Sequence, residues 1–378
     1  MAVTHKENRL FRGVVIVVAL LWSLVPVSGA HAVVVSDLYQ ATVPVSGQSE
    51  SQLAKAHQAG LERVLVRVSG DRNVTGRDGM EAHLEDARSL LESSQMVSGD
   101  NNDDRLQMTF SARAVNRVLA ETGAPVWGMN RPLTLAWIAV QDGGDRGLLV
   151  ETGESSEQGW SALIRDRASV RGLPLVLPPA DRASDRTLLS EVWGQFMGQI
   201  SRASSGIDHD LLAVVRVIRR NGGWQASWQY RGRGIEQSGS VTADNPSALA
   251  SALVDTLAGE LASRYAVTGG AINTGPYLRL AVEGVRSPSD YAAIKRALSQ
   301  LNPVESVGAM TVTPDRIVFR VEHTGEVAQL QQNIALDDRF RALDGDSGDR
   351  SGQEADTSPI LSYRWQSAAV APSGEADQ

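Results

Sequence analysis

The chain contains no cysteine. That excludes disulfides, Cys-ligated zinc, iron–sulfur clusters, a cysteine nucleophile and a lipid-modified N-terminal cysteine. Also missing are a His-Glu-x-x-His helix, a Gly-x-Ser-x-Gly elbow and any glycine spacing of a phosphate loop or dinucleotide fingerprint. Long apolar runs are scarce: the N-terminal one covers residues 13–27, short of the roughly 17 to 25 residues a helix needs to cross a bilayer. Excess positive charge is lacking too, because the net charge is −8. An acidic average argues against nucleic acid or an anionic membrane surface as the main target, although a local basic patch can survive it.

What is present begins with a leader. Lys6, Arg9 and Arg12 precede the apolar run, and "SGAHA" follows it, with Ala30 and Ala32 as the small residues of a cleavage signal. The layout predicts export with cleavage after Ala32. The alternative is a retained leader that anchors the chain. Removing the three basic residues and Glu7 of the leader lowers the net charge from −8 to −10. An exported chain without disulfides must hold together by burial, and the remaining length suffices for two or three domains.

The periodicity divides the rest into three units and a tail. Over residues 33–130, "DLYQATVPV" alternates as a strand, and Ser49 with Gln52 forms a capping-box pattern at the start of a helix. The β-branched "VLVRVSG" predicts a change from helix to strand near Arg63. A second helix is expected over "GMEAHLEDARSLLES", then a polar loop "SGDNNDDR", a strand "LQMTFS", and a helix "ARAVNRVLAETG" stopped by Gly123.

Residues 131–268 form the second unit. Asn130-Arg131-Pro132 turns the chain into a buried strand "LTLAWIAV". "GWSALIRDRASVRG" predicts a helix, "LPLVLP" a strand, "TLLSEVWGQFMGQIS" a helix and "LLAVVRVIRR" a strand. "NGG" marks a hairpin, after which Trp224, Ala226, Trp228 and Tyr230 share the buried face of the returning strand. A strand around "SGSVTA" and a helix "PSALASALVDTLAGELASRYAV" complete a mixed sheet.

The third unit, residues 275–342, reads βαββα, most of a ferredoxin-like fold, with Ser287 as helix N-cap and Asp290 three residues on. In the tail, residues 343–378, the linker "DGDSGDRSGQEADT" is too polar to build a core and is expected to be disordered. "SPILSYRW", residues 358–365, is expected to add a last edge strand. The fold class is therefore α/β and α+β, with small α/β units in series, mixed sheets, and a ferredoxin-like last unit.

The export signal, "DLYQATVPVSGQSESQLAKAHQAGLERVLVRVSGD" and "PVWGMNRPLTLAWIAV" together resemble an uncharacterised bacterial envelope family, domain of unknown function 2066, over residues 36 to 340. The resemblance implies a Gram-negative envelope protein, hence the periplasm, or the inner membrane if the leader is retained. It implies no activity. The element order of the second unit is also similar to small α/β domains of envelope assembly proteins, such as the N-terminal domain of the Tol-Pal system's propeller protein. That similarity is one of fold order alone.

Candidate chemistry is thin. His83 and Asp86 stand i, i+3 on a predicted helix, a spacing that a charged exposed helix also produces. His209 lies between Asp208 and Asp210, but neighbours on an extended chain point to opposite sides, so a turn into the sheet is the simpler reading. "DGGDRG", "NGGW" and "RGRG" read as turns. The densest stretch is residues 125–140, with Trp127, Asn130, Arg131 and Trp137. One reading makes it a joint: the two tryptophans wedge the first two units together and Arg131 pairs with a carboxylate at the seam. The other makes it a groove with Arg131 as an anion anchor. The reading adopted is an exported, non-enzymatic protein without cofactor or metal that acts through contacts with an envelope protein. It involves no nucleic acid, and no strong membrane-surface binding unless the leader is retained. The alternative is a periplasmic small-ligand-binding protein or hydrolase using a cleft between the first two units, with His83 or His209 as base.

Overall fold

One long helix organises the first lobe of the computed structural model, which describes residues 33–98, 104–151, 159–220, 222–268, 277–343 and 360–367. The leader, residues 99–103 of the polar loop and the acidic linker lie outside the described residues. β1 (Val33–Val34) and β2 (Gln40–Pro44) lead into α1 (Glu50–Ser69), whose start carries the expected Ser49–Gln52 capping box. The expected switch to strand near Arg63 does not occur. Leu61, Val64, Leu65 and Val68 are all fully buried at helical spacing, so packing of that stripe overrides the β preference of the valines. The helix ends instead at Gly70, with φ 70°. A Cβ there would sit 2.3 Å from that of Ala262 and 3.2 Å from the Trp127 ring.

α2 (Met80–Glu85) is shorter than the expected helix. The last three residues of that expected helix are drawn into β3 (Leu91–Ser98) after a 3-10 turn over Ala87–Leu90, because Leu91 and the residues after it pair with β4 (Asp104–Phe110). α3 (Ala112–Glu121) follows, and the lobe's sheet runs β2-β4-β3, all antiparallel. Two short strands then reach outward. β5 (Pro125–Val126) comes first, and β6 (Asn130–Arg131) pairs with β1.

The second lobe is a mixed sheet with a core on each face. Its elements are β7 (Thr134–Asp142), β8 (Asp145–Leu148), α4 (Trp160–Arg171), β9 (Leu175–Val176), α5 (Arg186–Trp193), α6 (Met197–Ala203), β10 (Leu211–Arg220), β11 (Gly223–Gly232), β12 (Ile235–Ala243), α7 (Pro246–Tyr265) and β13 (Val267–Thr268). The strand order is β12-β11-β10-β7-β8, with β9 beside β7, and β7 runs parallel to both β10 and β9. Helices α4 and α7 cover one face, where Trp224, Ala226, Trp228 and Tyr230 are buried as the alternation predicts. Helices α5 and α6 cover part of the other. Returning to the short element, β13 pairs with β5 and so links this lobe to the first.

Two expectations need correction here. "LPLVLP" contributes only two paired residues, since Pro174 and Pro178 remove ladder donors on either side. The expected helix over residues 187–201 is two helices, broken where Gln195 takes φ 55° and its side-chain amide donates to the carbonyls of Val214 and Ser227.

The third lobe comprises β14 (Leu278–Glu283), α8 (Pro288–Ser299), β15 (Val304–Val312), β16 (Arg316–His323), α9 (Val327–Ile334), β17 (Phe340–Ala342) and β18 (Ile360–Trp365). Its sheet order is β15-β16-β14-β18-β17. The βαββα unit is there, but the expected edge strand is not at the edge. β18 inserts between β14 and β17, parallel to the first and antiparallel to the second. Tyr363 and Trp365 explain the insertion: both are buried in the lobe's core, and Trp365 meets Phe340 edge-on at 5.0 Å. Asp290 of α8 holds the strand, accepting from Trp365 Nε1 and from the Ser367 hydroxyl. Among the described residues, no helix is long and apolar enough to cross a membrane.

Candidate functional site

Trp127 and Arg131 lie where two helix C-termini meet. The last carbonyls of a helix have no partner within it and carry partial negative charge. α1 and α4 both end at this point. Arg131, on β6, donates from Nη2 to the carbonyls of Arg67 (2.8 Å) and Trp127 (2.8 Å). Its Nη1 donates to those of Arg171 (3.1 Å) and Gly172 (2.7 Å), and its Nε to that of Gly128 (3.0 Å). All five N–H groups of the fork are thereby used. The guanidinium carbon stands 3.9 Å from the centre of the Trp127 ring, within cation–π range.

Two neighbouring arginines extend the pattern. Arg67 donates to the carbonyls of Asp37, Gln40 and Val170. Arg171 donates to that of Gly70 at 2.7 Å, and its Nε lies 3.1 Å from Asp255. The seam is therefore cationic and sealed. Burial lowers the Arg131 pKa to about 9, with the charges of Arg67 and Arg171 adding to the effect. Burial likewise lowers those of Arg67 and Arg171. A value near 9 still leaves Arg131 charged at neutral pH, and five carbonyls favour the charged form.

Three expectations change. Arg131 pairs with backbone carbonyls, not with a carboxylate, because helix ends rather than acidic side chains converge there. It has no exposed surface and so cannot serve as an anion anchor. Trp137 is not part of the joint: β7 is buried on both faces, and Trp137 points to the α5/α6 side, where its Nε1 donates to Ser204 at 2.9 Å. Asn130 pairs with Val34 in the β1–β6 ladder and lines a cavity of about 340 Å³ beside α8 and α9.

His83 and His209, the two candidate bases, each meet a different local partner. His83 Nε2 lies 3.5 Å from Glu121 on the surface. His209 turns Nδ1 to the carbonyl of Ile207 at 2.6 Å, closing the turn before β10. Asp210 beside it is structural: it accepts from the backbone N–H of Leu133 at 2.7 Å and pairs with Arg233. Arg233, at φ 48°, also reaches Asp338 and the carbonyl of Ala335, tying the second lobe to the third. The glycine-rich pieces are turns, with Gly143, Gly222 and Gly234 all at positive φ.

A cleft of about 640 Å³ lies beside the seam, between the first two lobes where the alternative reading put one, but its lining residues were not named from the sequence. Residues 69–73 of the first lobe form one wall, and Arg171, Asp255 and Glu260 of the second form another. Asp255 accepts two cations, Arg171 at 3.1 Å and Arg72 at 3.3 Å, the latter mostly exposed. The partners are about 180 and 80 residues apart, so no local pattern marks them.

This is a mixed α/β chain whose densest motif is a sealed inter-lobe joint. Residues 32–128 match the model of a family described as "Domain of unknown function (DUF8605)". The matched family is uncharacterised, as expected, but it is not domain of unknown function 2066. The match covers the first lobe and ends before Arg131. No curated protein and no solved structure matches the chain.

Proposed function

We propose that the protein is exported, works in the periplasm of a Gram-negative envelope, and acts through protein contacts rather than catalysis. The resemblance to domain of unknown function 2066 belongs to this reading and supports the envelope placement. The observation that carries the reading is the division between sealed and presented side chains. The residues most suggestive of binding are consumed inside the seam, while polar side chains are presented on the sheet of the second lobe. Flat faces suit macromolecular partners, and small molecules prefer concave sites. A polar face runs across β11 and β12, where Gln225, Ser227 and Gln229 register with Thr242, Ser240 and Ser238, with a cavity of about 350 Å³ at its Gln229–Ser238 end.

The test is photo-crosslinking in living cells from a probe at Gln225, with fractionation and N-terminal sequencing of the same protein. A mature end at Val33 in the periplasmic fraction and a recurrent protein adduct are expected. A cytoplasmic chain, or no adduct from any probed surface, would sink the reading.

A second reading has its own observation, the cleft in which Arg72 and Arg171 converge on Asp255. A small zwitterionic ligand bound there would raise Tm at concentrations well above Kd. That rise should vanish in Arg72→Ala. A panel of amino acids and short peptides that leaves Tm unmoved would dismiss it.

A further inference from the structure

An open sheet leaves unused backbone donors and acceptors along each edge, and proteins ordinarily blunt such edges with short strands, proline, bulges or charge. Most edges among the described residues follow that rule. β2 ends on Pro44, β8 has four residues and β17 three. β3 carries one register shift against its neighbour and β15 two. β12 is different. It runs nine residues, "IEQSGSVTA", in unbroken register with β11, without lysine, arginine or proline. Its single charged residue, Glu236, pairs with Arg231 of β11. Residues 236–240 are all exposed, and Gly239 among them has no side chain, so its exposure is that of the main chain itself.

The direction of the free groups follows from the hairpin. β11 turns into β12 through Arg233 and Gly234, both at positive φ. The pair that closes such a two-residue turn, Gly232 with Ile235, exchanges both of its backbone bonds. Bonded and non-bonded pairs then alternate along the ladder. Ile235, Gln237, Gly239, Val241 and Ala243 therefore spend their backbone groups on β11. Glu236, Ser238, Ser240 and Thr242 turn theirs outward.

The order of residues along the strand says what fits that edge. In an antiparallel pair of two β12 strands with the axis at Gly239, Ser238 of each copy stands opposite Ser240 of the other, and Glu236 opposite Thr242. All four outward residues then meet outward residues. Hydroxyl pairs across strands stabilise a sheet, and here no like charges are opposed. An axis between two residues would set outward groups against inward ones, and an axis at another residue leaves part of the edge unused. The axis falls on the one residue of the strand without a side chain. A Cβ at 239 would meet the Trp228 ring at 2.7 Å, and a glycine inside a strand suits the close approach of another backbone.

We infer that β12 is a self-association edge: two copies of the chain pair through it, antiparallel about Gly239, and join their second-lobe sheets into one. The inference goes beyond the interaction reading above and does not rest on it. One pair of strands is a small interface, so the dimer is weak and reversible.

The test uses the full chain as cells produce it, followed by sedimentation equilibrium. A reversible monomer–dimer transition with a midpoint of about 1–100 µM is expected for an interface of this kind. Ser240→Pro deletes an outward N–H and leaves the β11 ladder whole, which an edge strand tolerates. It should raise the dissociation constant at least about tenfold, because the two-fold axis makes the loss count twice. Cysteine pairing decides the register independently of how that variant folds, since the chain has no cysteine of its own. Ser238→Cys mixed with Ser240→Cys should give a disulfide-linked mixed dimer, because opposed residues lie about 5.5 Å apart between Cα atoms, within disulfide reach. Either variant alone sets its two cysteines diagonally and should link far more slowly. A chain that stays monomeric up to about 100 µM, or a mixed disulfide that forms no faster than the unmixed ones, would overturn the inference. A dimer indifferent to a folded Ser240→Pro variant would do the same. So would a monomer that a photo-probe at Ser240 links to a different protein in cells, which would give the edge to a partner's strand.

Discussion

Two groups of arginines divide the molecule. At the seam, Arg67, Arg131 and Arg171 are buried and donate mainly to backbone carbonyls, five of which belong to the ends of two helices. On the third-lobe sheet, Arg320 and Arg364 are about half exposed and pair with Glu322 and Glu283. The same side chain is structural in one place and presented in the other. What decides is the kind of acceptor nearby. Helix C-termini offer several fixed carbonyls that a planar five-donor fork can satisfy at once, and burial then makes the arrangement rigid. A strand row offers no such set, and there Arg320 and Arg364 each meet a single glutamate instead.

The contrast is sharpest under substitution at the seam. Arg131→Lys keeps the charge but replaces a fork by a point charge with three donors, leaving buried carbonyls unmet. A loss on the order of 3–5 kcal/mol is expected, as for breaking a buried ionic cluster, measurable by urea unfolding. Trp127→Ala should cost about as much, 3–5 kcal/mol for a large core aromatic, and an unchanged midpoint would return this stretch to the groove reading. Gly172→Ala comes next. Gly172 sits at φ 61°, and a Cβ there would meet Arg131 Nη1 at 2.7 Å and Arg67 Cγ at 2.8 Å. A loss of about 1–3 kcal/mol from strain at that backbone conformation is expected, and one below about 0.5 kcal/mol would show that the seam yields.

How far the sequence revealed these groups depends on the range of the interaction. The Ser49–Gln52 box, the Ser287 cap and the buried side of β11 are local, set by contacts within a few residues, and all were legible. The period of "VLVRVSG" was ambiguous, because Val64 and Val68 fit a strand and a helix alike until Leu61 and Leu65 pack. β7 gave no side for Trp137, since residues buried on both faces show no alternation. The seam's position was readable from Trp127 and Arg131, but its chemistry was not. Carbonyls of Arg67 and Gly172 are the same in every sequence, and only the meeting of α1 with α4 makes them acceptors. The place of β18 depended on partners some 80 residues away, such as Glu283 and Asp290.

Acid should find a weaker point than the seam. The Ser367 hydroxyl, ahead of an opposing push from burial, lowers the pKa of Asp290, with help from Ser287, the Arg286 N–H and Trp365. For a carboxyl depressed on folding, the stabilisation is complete above its unfolded pKa and is lost as pH falls through the folded value. Hydrogen-exchange protection of β18 should therefore hold from neutral pH down to the ordinary carboxylate range and fall below it. In Asp290→Asn that acid step should be gone, and a step of the same size in the variant would assign it elsewhere.

The smallest effect is the control that gives the comparison its meaning. Arg320 is half exposed, pairs with Glu322 at 3.4 Å and stacks on Tyr277. Exposed ion pairs contribute about 0–1 kcal/mol, and lysine preserves the charge, so Arg320→Lys should shift stability by no more than about 0.5 kcal/mol. The identical change at Arg131 is expected to cost several times that. If both positions respond alike in urea, acceptor geometry is not what separates the two groups of arginines.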